Sequence, residues 1–205
     1  MVFCLVLLAL SIGNVQAARL GLRMGVSSAD QSYNYSIPNM KLDRLHRIGL
    51  AAGLFAEFPL GNLLSVRAGA DYVEKGSSLL ASIYTMYPPV PAGTKKFEDH
   101  IDYLTFSLLA KISPLENSSI SPYIVLGPRL DVLLSSSSDL TPMVVDDLKS
   151  SEIGGTAGLG VTIPVETSVS ILFEALYSPD FSSAFKGEFL TVRNSTFQFM
   201  TGLQF

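Results

Sequence analysis

Eight segments of this 205-residue chain alternate apolar and polar side chains with a period of two, and their apolar faces carry essentially no charge over the central positions. That period marks a strand with one apolar face and one polar face. The last segment, 194–205, shows it plainly: Phe197, Phe199, Thr201, Leu203 and Phe205 alternate with Thr196, Gln198, Met200, Gly202 and Gln204. Taken alone, this strand fits a soluble β-sandwich as well as a wall facing lipid. The other seven segments decide between them.

The alternation predicts strands over 18–28, 47–58, 64–72, 101–112, 122–134, 153–163 and 169–178. In the first, Leu20, Leu22, Met24 and Val26 oppose Gly21, Arg23, Gly25 and Ser27; in the second, Ile48, Leu50, Leu54 and Phe58 oppose Arg47, Gly49, Gly53 and Glu57. Pro128 sits inside the fifth and reads as the place for a bulge, since proline cannot donate to the ladder. Residues 76–100, 135–151 and 179–193 lack a sustained period and read as long loops, whereas Pro59 to Asn62, Pro114 to Ser121 and Pro164 to Thr167 read as short turns. With the stretch between the first two strands also long, long and short connections alternate strictly along the chain, the construction of an outer-membrane barrel with short periplasmic turns and long outer loops.

Length and charge point the same way. A tilted membrane strand needs roughly 9 to 11 residues, against about 5 to 6 for a typical globular strand, and most of these segments reach or exceed the longer figure. Charged residues make up 16% of the chain and hydrophobic ones 48%, a greasy balance beside the usual one-quarter charged. No apolar run after Ala17 is long enough for a spanning helix. A closed barrel can still cross a membrane, because closure satisfies every backbone group. The expected fold is therefore all-β: an eight-stranded antiparallel up-and-down transmembrane β-barrel in the bacterial outer membrane. A soluble lipocalin-like carrier of a small apolar ligand would show the reverse phase, with charge outside and an apolar lumen.

The first 17 residues read as a cleaved signal peptide: an apolar run over 2–12, then Val15, Gln16 and Ala17 as the cleavage site. Its start carries no Lys or Arg, which fits a misplaced start. The barrel domain is then 18–205. The single cysteine, Cys4, leaves with the signal, so the mature chain has no thiol chemistry and no disulfide. Fourteen Lys and Arg against 18 Asp and Glu, with no basic stripe, exclude nucleic acid as a natural partner. The expected partners are outer-membrane lipid and, through the C-terminal strand, the barrel-assembly machinery.

The faces opposite the lipid carry Arg23, Arg47, Glu57, Arg67, Asp71, Lys111, Arg129, Asp131, Glu152 and Glu174. An eight-stranded barrel has a lumen that side chains just fill, so these groups are expected to meet as a structural ion-pair network. A small-solute or ion path is the alternative, with Gly49, Gly53, Gly154, Gly158 and Gly160 leaving space. His46 and His100, beside abundant serines, allow a barrel hydrolase reading, but both fall at loop boundaries and coincidence explains them better. Their spacing suits no metal site, and no cofactor is expected. Tyr72, Tyr103, Tyr123 and Tyr177 fall near strand ends and suit interfacial girdles as well as chance. Tyr33, Tyr35, Tyr84, Tyr87, Phe181, Phe185 and Phe189 lie in the loops and suit a protein or surface-glycan partner. The Asn34, Asn117 and Asn194 sequons are coincidental in a bacterial barrel.

Ordered segments carry a family resemblance. They are Gly21-Leu22-Arg23-Met24-Gly25, Gly53-Leu54-Phe55-Ala56-Glu57-Phe58-Pro59-Leu60, Tyr72-Val73-Glu74-Lys75-Gly76, Asp102-Tyr103-Leu104, Pro122-Tyr123-Ile124-Val125-Leu126-Gly127-Pro128 and Gly158-Leu159-Gly160-Val161. In order and spacing the chain resembles the PorT-like outer-membrane β-barrel family of Bacteroidetes-type bacteria over most of its mature length. Thr105-Phe106 departs from the Pro or polar residues usual after that Tyr-Leu. The resemblance implies an eight-stranded barrel and brings no shared catalytic residue. The sequence thus reads as an integral outer-membrane scaffold or interaction module, not an enzyme.

Overall fold

The computed structural model describes residues 18–35, 45–84, 91–114, 119–138, 149–166, 168–182, 185–186 and 190–205. The expected signal peptide with its cleavage after Ala17, and the loop residues Tyr87 and Phe189, lie outside the described residues. The strands are β1 Arg19–Tyr35, β2 Leu45–Pro59, β3 Leu64–Tyr84, β4 Pro91–Ile112, β5 Ser121–Ser138, β6 Ser151–Pro164, β7 Ser170–Pro179, β8 Phe185–Lys186 and β9 Leu190–Gln204.

Eight of these form the wall. Each pairs antiparallel with its neighbour in chain order from β1 to β7, β9 pairs with β7, and β9 also pairs with β1 from Gly21↔Gln204 to Tyr35↔Leu190. That last ladder closes the sheet into a barrel and leaves the wall without an edge. The two-residue β8 lies beside β9 at Phe185↔Val192. Among the described residues no helix is long and apolar enough to cross a membrane.

The predicted strands are all present, and several run further than their hydrophobic period. Residues 76–84 and 91–100, read as loop, continue β3 and β4 as one hairpin paired as far as Tyr84↔Pro91. Ser135 to Ser138 likewise belong to β5, opposite Asp99 to Asp102. Beyond the apolar belt neither face is selected for hydrophobicity, so backbone pairing continues where the pattern has already stopped.

Pro128 produces a gap rather than a bulge. The β4–β5 register is the same on both sides of it, at Ser107↔Arg129 and Ala110↔Leu126, and the missing donor only interrupts the ladder. Gly127 beside it admits β4: a Cβ there would stand 2.1 Å from the Leu108 carbonyl oxygen. The register shifts fall instead near the long-connection end, between His46 and Ala51 in β2, between Ile83 and Tyr84 in β3 and between Asp102 and Tyr103 in β4. The short turns are tied by backbone bonds such as Leu60 N to Leu64 O and Val165 N to Val169 O, both 2.9 Å.

The two phases of the strands face opposite solvents. Leu20, Leu22, Met24, Val26, Leu54, Leu126, Leu159, Phe199 and Phe205 lie exposed on the outside. Arg23, Glu57, Arg67, Asp71, Lys75, Asp131, Glu152 and Glu174 are buried inside. This inversion is what a lipid-facing barrel requires and what a lipocalin-like carrier would not have. Leu54, 65% exposed in the middle of β2, provides a direct check. Leu54→Arg is expected to destabilise the barrel by about 2 to 4 kcal/mol in urea titrations from lipid vesicles, the cost of a charge near the midplane. A change under about 0.5 kcal/mol would put this face in water.

Candidate functional site

Inside the wall the charged side chains form two clusters stacked along the barrel. The one nearer the short turns centres on Glu174 and Glu57. Arg23 grips Asp71 with two parallel bonds, Nε to Oδ1 at 2.9 Å and Nη2 to Oδ2 at 2.7 Å, and reaches Glu174 Oε2 with Nη1 at 2.8 Å. Arg67 Nη1 donates to Glu174 Oε1, which also accepts from Tyr123 Oη at 2.8 Å. The rest of the Arg67 fork holds Glu57 Oε2, with Nη2 at 2.9 Å and Nε at 3.2 Å. Lys111 Nζ donates to Glu57 Oε1 at 2.8 Å, and Gln204 Nε2 to Glu57 Oε2 at 3.2 Å.

Three cations thus face three carboxylates across β1, β2, β3, β4 and β7. Aromatic rings complete the packing: the Arg67 guanidinium lies 4.4 Å from the Phe55 ring centroid, and Lys111 Nζ lies 4.4 Å from that of Tyr123. Arginine suits these positions because its planar fork serves two acceptors at once.

The second cluster lies nearer the long connections. Lys75 Nζ donates to Asp131 Oδ2 at 2.6 Å, and Arg129 Nη1 lies 3.1 Å from the same oxygen. Thr105 Oγ1 donates to Asp131 Oδ1 at 2.6 Å, and Arg129 Nη2 bonds Asp180. Glu152 takes neutral partners, Tyr103 Oη at 2.5 Å and Asn194 Nδ2 at 3.1 Å. Asp131, Glu152 and Asp180 bring carboxylate oxygens within 4.8 Å of one another. Lys75 and Arg129 neutralise two of those charges by direct contact, so the cluster is built as ion pairs.

Nine of the ten charged residues predicted for the lumen lie in these two clusters. Arg47 is the exception and sits half-buried at the rim, where Nη1 donates to the Lys75 carbonyl at 2.5 Å and Nη2 contacts His100 Nδ1 at 2.5 Å. The register of β2 against β1 runs unbroken from Arg19↔Glu57 to Ala29↔Arg47, so Arg47 keeps the lumen phase and is set apart by its height, at the long-connection end of the wall. His46 and His100 are both exposed, and His100 meets an arginine there.

The lumen glycines do not leave space either. A Cβ on Gly53 would lie 2.2 Å from Asp71 Oδ1, and one on Gly160 would lie 2.3 Å from the Tyr123 ring. They are glycine because the network occupies the room a side chain would take.

Sequence reasoning missed Lys75, Asp180, Tyr103, Tyr123, Asn194 and Gln204 as members. Tyr103 and Tyr123 are buried at 0% and 2% exposure, which corrects their reading as interfacial girdle residues. Phase would have found most of these: Lys75 shares parity with Arg67 and Asp71, and Asp180 with Glu174. Tyr177, by contrast, faces outward at 40% exposure with its ring 4.6 Å from that of Phe197.

An antiparallel eight-stranded barrel, apolar outside and filled with ion pairs inside, is a transmembrane β-barrel. Residues 14–186 match the outer membrane protein beta-barrel domain, and the chain belongs to that family of the bacterial outer membrane. Its fold resembles Neisserial surface protein A, with 12% identity, a TM-score of 0.55 and 94% of this chain covering 98% of that one. OprG from Pseudomonas aeruginosa matches at 14% identity and a TM-score of 0.52, 93% of this chain covering 97% of OprG. A major outer membrane protein from Thermus thermophilus gives the same identity and TM-score, with 93% of this chain and 99% of that one covered. No curated protein matches the sequence.

Glu174 is the acceptor on which the inner cluster turns, serving Arg23, Arg67 and Tyr123. Glu174→Gln is expected to cost about 3 to 5 kcal/mol in urea unfolding from vesicles, since it leaves two buried guanidinium groups short of a counter-charge. A cost below about 1 kcal/mol would show that water reaches this network.

Proposed function

We propose that this outer-membrane barrel is a non-catalytic scaffold whose lumen is closed by structural ion pairs and whose outer loops contact a protein or surface-glycan partner. One observation carries the reading: Glu174 and Glu57 side chains, at 0% and 2% exposure, tie arginines from β1 and β3 across the interior. A lumen cross-braced in this way favours filling over conduction. The ordered segments from Gly21 to Val161 support placing the chain among PorT-like barrels of Bacteroidetes-type bacteria. The secretory leader with cleavage after Ala17, and assembly through Phe197, Phe199, Leu203 and Phe205 of the last strand, belong to the same reading.

Loops on a rigid barrel are the natural carriers of recognition. Phe181, 67% exposed beyond β7, and the aromatic residues of the neighbouring connections supply contact area. A photo-crosslinking residue at Phe181 in intact cells is expected to yield a discrete adduct that the same probe at lipid-facing Leu126 does not. Failure at Phe181 and at every other outer-loop position tested would overturn the interaction role. Purified barrel in planar bilayers is expected to give no steady conductance steps; reproducible steps that vanish in Arg67→Ala would assign a pore instead.

A further inference from the structure

The connection that leaves β7 is held down onto β6 past the point where the two strands stop pairing. The β6–β7 ladder ends at Ala157↔Tyr177, and Pro179 has no N–H with which to extend it. Asp180 nevertheless bridges to Gly154. Its N–H donates to the Asn194 carbonyl at 3.0 Å, and the N–H groups of Phe181 and Ser182 donate to the Ile153 carbonyl at 2.9 and 3.1 Å. Phe181 thereby lays its ring over Gly155, where a Cβ would lie 2.9 Å from the ring.

The side chain at the centre of this seat lacks the partners of an ionised carboxylate. Asp180 Oδ1 accepts from Arg129 Nη2 and lies 3.8 Å from Lys75 Nζ, but Oδ2 is buried and has no hydrogen-bond partner. The buried Glu152 carboxyl stands within 4.8 Å, and its own donors, Tyr103 Oη and Asn194 Nδ2, are neutral. Among the described residues, two cations, Lys75 and Arg129, thus serve three carboxylates, Asp131, Glu152 and Asp180. An orphaned carboxylate oxygen in a dry interior is costly. A carboxyl that keeps its proton becomes a donor and can bond the carboxylate beside it, the arrangement favoured where like charges share one buried site.

We propose that Asp180 carries a proton in neutral solution and donates it to Glu152, and that this carboxyl pair latches 180–182 onto β6. In alkaline solution the proton leaves to solvent, Asp180 and Glu152 become like charges side by side, and the segment that carries Phe181 lifts from Gly155. The groups gathered around Asp180 are Lys75 from β3, Tyr103 from β4, Arg129 and Asp131 from β5, Glu152 from β6 and Asn194 from β9. Lys75 and Arg129 also serve Asp131, so once the proton has gone two positive charges are divided among three carboxylates. A metal ion fits this place less well, since a cation between Glu152 and Asp180 would sit beside Lys75 and Arg129. The latch does not depend on what the outer loops bind; it sets whether Phe181 is seated.

The test uses the full chain in lipid nanodiscs. Infrared spectra in neutral buffer are expected to show the carbonyl stretch of a protonated carboxylic acid, because ordinary carboxyls are ionised there. Carbon-13 labelling of aspartate is expected to move this band, and Asp180→Asn and Glu152→Gln to abolish it. Fluorine NMR of 4-fluorophenylalanine placed at Phe181 is expected to give one titrating shift on the alkaline side of neutrality in the parent. Asp180→Asn is expected to hold that signal at its neutral-buffer position throughout, since an amide keeps the bond to Glu152 at every pH. A boiling-dependent gel shift checks that each variant retains its barrel. Absence of the acid band from the parent, its persistence in Asp180→Asn, or the same fluorine titration in parent and variant would each overturn the proposal. An acid band without any fluorine titration would leave the proton and remove the latch. A fluorine signal that follows sodium or calcium concentration at fixed pH and ionic strength, with no acid band, would assign the pair to a metal ion instead.

Discussion

Closure between β1 and β9 is the constraint on which the rest of this structure depends. In hydrocarbon an unpaired strand edge leaves backbone donors and acceptors with no water to satisfy them, so the eighth spanning strand has to return to the first. The fifteen register pairs from Gly21↔Gln204 to Tyr35↔Leu190 do this. Once the sheet is closed, every side chain points either to lipid or to a lumen of fixed width, and the two phases of each strand acquire opposite chemical requirements.

The lumen answers its requirement with charge balanced by charge. Arg23, Arg67 and Lys111 face Asp71, Glu57 and Glu174 around the inner cluster. Burying such groups without partners would be prohibitive. Partnering them across β1, β2, β3, β4 and β7 cross-braces the wall from within. The glycines serve the same end, since Gly53 and Gly160 give up side-chain volume to Asp71 and Tyr123. The outer cluster is assembled differently, with Glu152 held by the neutral Tyr103 and Asn194. The long-connection end of the lumen thus adds neutral hydrogen-bond partners to the ion pairs of Lys75 and Arg129 with Asp131 and Asp180.

Above the lipid the selection changes. The wall no longer needs an apolar exterior, and register shifts appear at His46/Ala51 and Asp102/Tyr103. Arg47 lies at this end of the lumen phase, opposite Ala29, where it meets His100 and the Lys75 carbonyl. The β3–β4 hairpin stays paired well past the apolar belt, as far as Tyr84↔Pro91. Its two arms carry unlike residue types although they belong to one hairpin.

The sequence by itself determined the strand count, the alternation of long and short connections, the lipid face and most of the lumen charges. Each of these follows from a period of two imposed by lipid on one side and by a narrow polar interior on the other. Arg23, Glu57, Arg67 and Glu174 are legible because phase alone assigns them inward. Which carboxylate meets which guanidinium, the burial of Tyr103 and Tyr123, and the recruitment of Lys75, Asp180 and Gln204 were decided by the tertiary structure. Residues such as Glu57 and Gln204 are 147 positions apart in the chain, and only register and closure bring them together. The extensions of β3 and β4 were likewise invisible to hydropathy, because beyond the membrane backbone pairing persists without the apolar pattern that announces it.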